Sequence, residues 1–278
     1  MSHSKKHHYI PACYLKGFTN EGKRTSLFWA FQKNNPGFKY GTNPNDACVS
    51  NNYYKLEENK QPLLIEEWYG NTVEARIGVF LESLDKMEEI NSANEGLTWL
   101  LSSLFLRNPQ HRNNIESPLR QEQKIVESMK RDLNQRGITL NYSVTNFNID
   151  DIIEYELKQT EIVARYFPMF NYSLIKSPNE INTITSDTPL ILTHSNLKTF
   201  GLATKGTMIL VPLNKHTYLF GSKELKLRPI YSATRKEIAY LNTLVMHYAY
   251  DKCFSNNQCF FVLDDNDKII QHPFKNKT

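Results

Sequence analysis

The apolar residues of this chain change their period at Pro168, and that change limits the folds open to it. Before it, Leu63, Ile65, Trp68, Val73, Ile77, Phe80, Leu81 and Leu84 recur at three- and four-residue steps, the spacing of one helical face. Gly70 and Gly78 weaken the continuity, so the stretch reads as one amphipathic helix or two, starting near Pro62. Residues 97–106 are apolar on almost every side, which marks a buried central helix, with Pro109 as its stop. Residues 118–136 are strongly charged, with Ile125, Met129 and Leu133 as a narrow apolar stripe. They read as an outer helix stopped at Gly137. A connector, 138–147, leads to Asn148-Ile149-Asp150-Asp151, an N-cap signal for a helix running to about Phe167.

After Pro168 the apolar residues come in short runs at 172–176, 181–186, 190–193, 208–212 and 217–221. Turn residues separate them, so they read as strands of a largely antiparallel sheet. A helix is expected over about 234–250. The runs 259–263 and 268–271, joined by Asp264–Asp267, then read as a closing hairpin. Residues 25–32 form a further aromatic strand followed by the turn Asn34-Asn35-Pro36-Gly37, and 53–56 a short second one. Helices and strands are segregated along the chain, which predicts an α+β fold: a central helical bundle packed against a mainly antiparallel sheet. The expected organisation is a single domain over 1–278 with two lobes. Residues 1–60 would give a small β layer, 61–168 the helices, and 169–278 the sheet plus one helix.

With 278 residues, 40% of them hydrophobic, the chain has ample material for a core. The net charge of +4 is too small to establish a nucleic-acid footprint. Yet Lys5, Lys6, Lys16, Lys23 and Arg24 concentrate positive charge near the start, and nucleic acid stays among the expected partners. Cys13, Cys48, Cys253 and Cys259 form no CxxC pair. With no secretory leader and no apolar run of spanning length, the expectation is a cytoplasmic protein with buried thiols and no membrane contact. Walker, GxGxxG and HExxH motifs are missing, which disfavours P-loop nucleotide hydrolysis and nicotinamide chemistry.

The opening segment carries the most chemistry. Lys5-Lys6-His7-His8-Tyr9-Ile10-Pro11 followed by Tyr14-Leu15-Lys16-Gly17-Phe18 sets two imidazoles among apolar anchors. HHYIPACYLKGF, CVSNNYY, EEWYGNTVEARIG, FLRNP, ITSDTPLIL and LVPL occur in this order from Lys5 to about Phe254. Together they resemble domain-of-unknown-function family 4238, mainly uncharacterised bacterial proteins. The resemblance implies a shared fold and a shared pocket, with no activity to transfer. It singles out His7, His8, Tyr9, Pro11, Tyr14, Leu15 and Phe18, then Glu67 and Glu74, Arg107, and Ser186, Asp187 and Pro189. Cys13 and Asn108 depart from the family pattern without touching its ionisable residues.

Each candidate also has a structural reading. Imidazole suits proton transfer and metal ligation near neutral pH. Neighbours in extended chain point to opposite sides, so His7 and His8 serve one site only if the backbone turns, and both could simply anchor the terminus. Glu67 and Glu74 lie seven apart, two helical turns and about 10 Å, on one face. Glu74, beside Val73 and Ile77, is the better candidate, and its plain alternative is an ion pair with Arg76, Arg107 or Lys6. Glu66, Glu82 and Glu88 read as solvated. Asp187 could orient a histidine or share a metal with it, or cap a turn with Ser186. Arg107 could clamp an anionic substrate or complement a helix dipole. Tyr9, Tyr14, Tyr53 and Tyr54 could stack bases. Asn242 is expected to hold a backbone group, and His247 to be an ordinary helix residue.

The functional expectation is an intracellular hydrolase, nuclease-like and active in bacterial phage defence, with His7, His8, Glu74 and Asp187 as the catalytic set. Tyr9, Tyr14, Arg107 and Ser186 would contact substrate, and participation of a divalent metal is left open. The alternative is a non-catalytic binding module in which the same residues form a structural polar network.

Overall fold

The computed structural model describes residues 6–35, 37–56, 61, 63–139, 142 and 148–273. Lys5, Pro36, Pro62 and most of the 138–147 connector fall outside them. The chain runs through β1 (Lys6–His8), α1 (Ala12–Leu15), β2 (Phe28–Gln32), β3 (Lys39–Thr42) and β4 (Val49–Asn51) before the helices begin. These are α2 (Leu64–Trp68), a π-helical turn (Tyr69–Val73), α3 (Glu74–Ser83), α4 (Glu95–Leu106), α5 (Pro109–Gln135) and α6 (Ile149–Ala164). Then come β5 (Asn171–Lys176), β6 (Thr185–Ser186), β7 (Ile191–Thr193), β8 (Met208–Asn214), β9 (Thr217–Ser222) and β10 (Ile230–Ser232). The described chain closes with α7 (Arg235–Tyr248), β11 (Lys252–Ser255), β12 (Phe260–Leu263) and β13 (Ile269–His272).

The fold is α+β, and its strand pairs are antiparallel except for the parallel pair β10–β5. One sheet has the order β10-β5-β9-β8-β7 and a second the order β3-β2-β11-β6. β1 pairs with β4, and β12 with β13. The five-stranded sheet is covered on both faces. Along β8, Ile209, Val211 and Leu213 join a core with α1, α3 and α4, whereas Leu210 joins a second core with α7 and the closing hairpin. Burial on both faces explains why these strands read as continuous apolar runs instead of alternating ones.

Local chemistry sets several boundaries. Asn148 and Asp151 form the expected capping box at the start of α6, and Thr234 with Glu237 forms another on α7. Gly137 has φ +74°, the left-handed conformation that follows a helix end. Asn242 accepts from the Ile184 amide and the Tyr218 hydroxyl, and it donates to the carbonyls of Asn182 and Phe261, so α7 is stitched to the sheet as expected. The four cysteines are free thiols; three are buried and Cys259 is half-buried.

Three expectations are corrected. Pro109 does not end the buried helix, which stops at Leu106; it is the first residue of α5, with Asn108 accepting from the His111 amide as the N-cap. Residues 53–56 are not a strand. Asn52 has φ +56° and turns the chain there, leaving 49–51 as the paired segment. Only Thr185–Ser186 of the run 181–186 enters a ladder, because the Thr183 and Ile184 amides bond to the Lys215 carbonyl and the Asn242 side chain instead.

Candidate functional site

The first described strand pins the histidines. β1 pairs with β4 through Lys6–Asn51, His7–Ser50 and His8–Val49, so His7 and His8 point to opposite sides. His7 is fully buried, and its Nδ1 accepts from the Tyr54 amide at 2.9 Å. That bond assigns the ring proton to Nε2, which is buried without a hydrogen-bond partner. Burial first, then the Arg107 charge, lowers the His7 pKa and keeps the ring neutral. His8 is half-buried with Nε2 3.1 Å from the Pro44 carbonyl. Its pKa is also lowered by burial, against the opposing pull of Glu74.

Arg107, the C-cap of α4, lies behind this strand and is 2% exposed. Nε donates to the Tyr54 hydroxyl at 3.1 Å and Nη2 to the His8 carbonyl at 2.6 Å. Nη1 meets Ser103 Oγ at 3.2 Å and Glu74 Oε1 at 3.5 Å, and the guanidinium lies 3.8 Å from the Tyr69 ring centroid. Its planar fork bonds to protein partners, among them Glu74 in the ion pair that is that residue's plain alternative. Arg107 ties the terminus, the long helical rod and α4 together. A second buried pair, Arg112 with Glu156, sits on the Tyr53 ring and binds the Tyr53 carbonyl.

The residue that the sequence reading missed is Glu66. In a regular helix, residues seven apart share a face, and residues eight apart diverge by about 80°. The π turn at Tyr69–Val73 adds one residue to the coil between α2 and α3. The face therefore advances by eight, so Glu66 and not Glu67 comes round toward Glu74. Glu67 is exposed, whereas Glu66 is half-buried and its Oε2 is buried without a hydrogen-bond partner. Burial pushes the Glu66 carboxyl up to about 7; Glu74 adds to this and Arg107 opposes it. The available signal was Gly70 in an otherwise helical run, together with strict four-residue steps at Ile65, Tyr69, Val73 and Ile77, a period slower than an α-helix sustains.

The sheet-side candidates behave differently. Asp187 is 2% exposed, and its oxygens accept from the amides of Tyr250, Asp251 and Lys252 at 2.9–3.0 Å. Burial raises its pKa to about 6 against those three bonds. Through those bonds it holds the entry to β11, and among the described residues no hydrogen bond joins it to a histidine. Ser186 Oγ accepts from the Thr188 amide, the turn-capping role. Tyr14 is fully buried, bonding Thr185 Oγ1 and the Pro212 carbonyl at 2.7 Å each. Tyr54 is equally sealed, so both rings sit in the core with no face open for stacking a base. Tyr9 and Tyr53 stay half-buried with ring centroids 5.9 Å apart, and Asp187 lies within electrostatic reach of Tyr9.

Arg107 thus gathers the Glu74 carboxylate and the His8 carbonyl, with Glu66 in electrostatic reach of Arg107 and Glu74 and the His8 ring in reach of Glu74, whereas Asp187, Ser186 and Tyr14 bond to other parts of the chain. Arg24, exposed and electrostatically coupled to His8, makes no ion pair among the described residues. Among the described residues no three His, Cys, Asp or Glu side chains are grouped to hold a metal ion, and no helix is long and apolar enough to cross a membrane. The set can hold and release a proton near neutral pH beside a carboxylate–guanidinium pair. No curated protein and no solved structure matches the chain. The family model described as protein of unknown function, DUF4238, matches residues 6–258, and the chain belongs to that family.

Proposed function

We propose that the chain is a hydrolase working by acid–base chemistry at Glu66, Glu74 and His8. The observation that carries this reading is the Glu66 carboxyl: one oxygen buried without a partner, its pKa raised to about 7, beside a second carboxylate paired with Arg107. Two carboxyl groups whose surroundings differ in this way suit an acid and its charged neighbour. Water attacks the substrate's reacting centre as its bond to the leaving oxygen breaks; neutral His8 takes the proton from that water, and Glu66, protonated below about pH 7, gives its proton to the leaving oxygen. Glu74 stays fixed by Arg107, and His8 supplies the second titrating group. Arg24, exposed and in electrostatic reach of His8, supplies positive charge there, which favours an anionic substrate. A phosphodiester is the substrate class we favour, and with it a nuclease-like part in phage defence.

The test is turnover of single-stranded DNA, RNA and bis(4-nitrophenyl) phosphate by the wild-type chain and by Glu66→Gln. The substitution is expected to lower turnover by about 100-fold or more, the usual share of one acid–base group, without lowering the melting temperature. Full turnover in Glu66→Gln contradicts the assignment. A second reading, a binding module, is favoured by one observation: Arg107, Asp187 and Tyr14 spend their hydrogen bonds on the protein itself. It is selected if the wild type turns over none of these substrates.

A further inference from the structure

We propose that the groove between α2, α4 and α6 is a binding site for a methylated ammonium group, separate from the Glu66 carboxyl. The groove holds about 350 Å³ and is walled by Leu64, Ile65, Trp68, Trp99 and Leu157, with Glu161 at its edge. Trp68 and Trp99 stand nearly at right angles, with ring centroids 5.7 Å apart and an interplanar angle of 80°. Two orthogonal indole faces form a corner in which one cation meets both π systems, and indole is the strongest cation–π partner among the side chains.

Local charge selects a cation over a neutral guest. Glu161 is exposed and makes no ion pair among the described residues. The Trp99 indole N–H donates to Glu95 Oε1 at 3.3 Å, an oxygen that Arg76 also holds at 2.8 Å, so this bond orients the ring and leaves Glu161 as the unpaired charge at the groove. The apolar walls select among cations. A primary ammonium or a guanidinium would give up water hydrogen bonds and find few acceptors in exchange. A quaternary ammonium holds its water loosely, and its methyl groups fill apolar space. Leu64 is 43% exposed, so the corner opens to solvent.

The experiment is a titration of the full chain with choline and with 3,3-dimethylbutan-1-ol, its neutral carbon isostere, read by tryptophan fluorescence and by saturation-transfer NMR. Choline is expected to bind about 5-fold or more tightly than the isostere, within the range of a cation–π contact. Glu161→Gln, a surface change, is expected to narrow that ratio, and Trp68→Leu to remove choline binding. Equal binding of the two guests overturns the proposal in favour of a plain apolar groove. Binding of neither, or a ratio untouched by Glu161→Gln, overturns it outright.

Discussion

Glu66 and Asp187 are both acids whose pKa burial raises, to about 7 and about 6, yet their oxygens meet different surroundings. At the sheet end, three backbone amides take up the Asp187 carboxylate. On the helical rod, Glu66 keeps an oxygen that is buried and unmatched. A bonded buried carboxylate holds a chain in place, whereas an unmatched one costs stability and stands out as a group kept for another purpose. The raised pKa alone would have ranked the two together; the hydrogen bonds separate them.

The comparison breaks most sharply at the supports. Arg107→Ala is expected to destabilise the fold by about 3–5 kcal/mol, because it strands Glu74 and removes the knot between terminus and helices. Asp187→Ala is expected to cost about 2–4 kcal/mol by leaving three amides without their acceptor. Denaturant unfolding measures both, and a loss below about 1 kcal/mol at either site would remove it from the structural class.

Glu66→Gln should behave in the opposite way, and pH reveals it. The Glu66 pKa is raised on folding, so the folded state binds the proton more tightly than the unfolded chain. The stability it contributes is full below its ordinary value of 4.5 and is lost as pH rises through about 7. Wild-type stability should therefore fall relative to Glu66→Gln across that window, and parallel pH profiles would contradict the burial argument. A finer test deletes the exposed Asn71. Removing one residue turns the π turn into α-helix and sets Glu66 seven before Glu74, so Glu66 should keep its raised titration. At the surface, Lys6→Met breaks an exposed pair with Asp46 and should leave the melting temperature unmoved.

Much of the fold was legible because its signals are local. The switch in apolar period located the helices and the sheet, and Asn148 with Asp151 marked a helix start through their own hydrogen bonds. The site was half legible. The histidines and Glu74 declared themselves by type and setting. Glu66 did not, because a π turn shifts helical phase without a strong residue signature. The bonds of Asp187 were hidden because the amides that hold it lie more than sixty positions away in the chain. The Arg107–Glu74 pair was among the alternatives the sequence offered, but the Arg107 partners from β1 and the turn after β4 are remote in the chain.

The titration of Glu66 itself, followed through its side-chain carboxyl carbon by NMR, bears most directly on this account. A midpoint near 7 is the predicted result. A midpoint near 4.5 for Glu66 would contradict it.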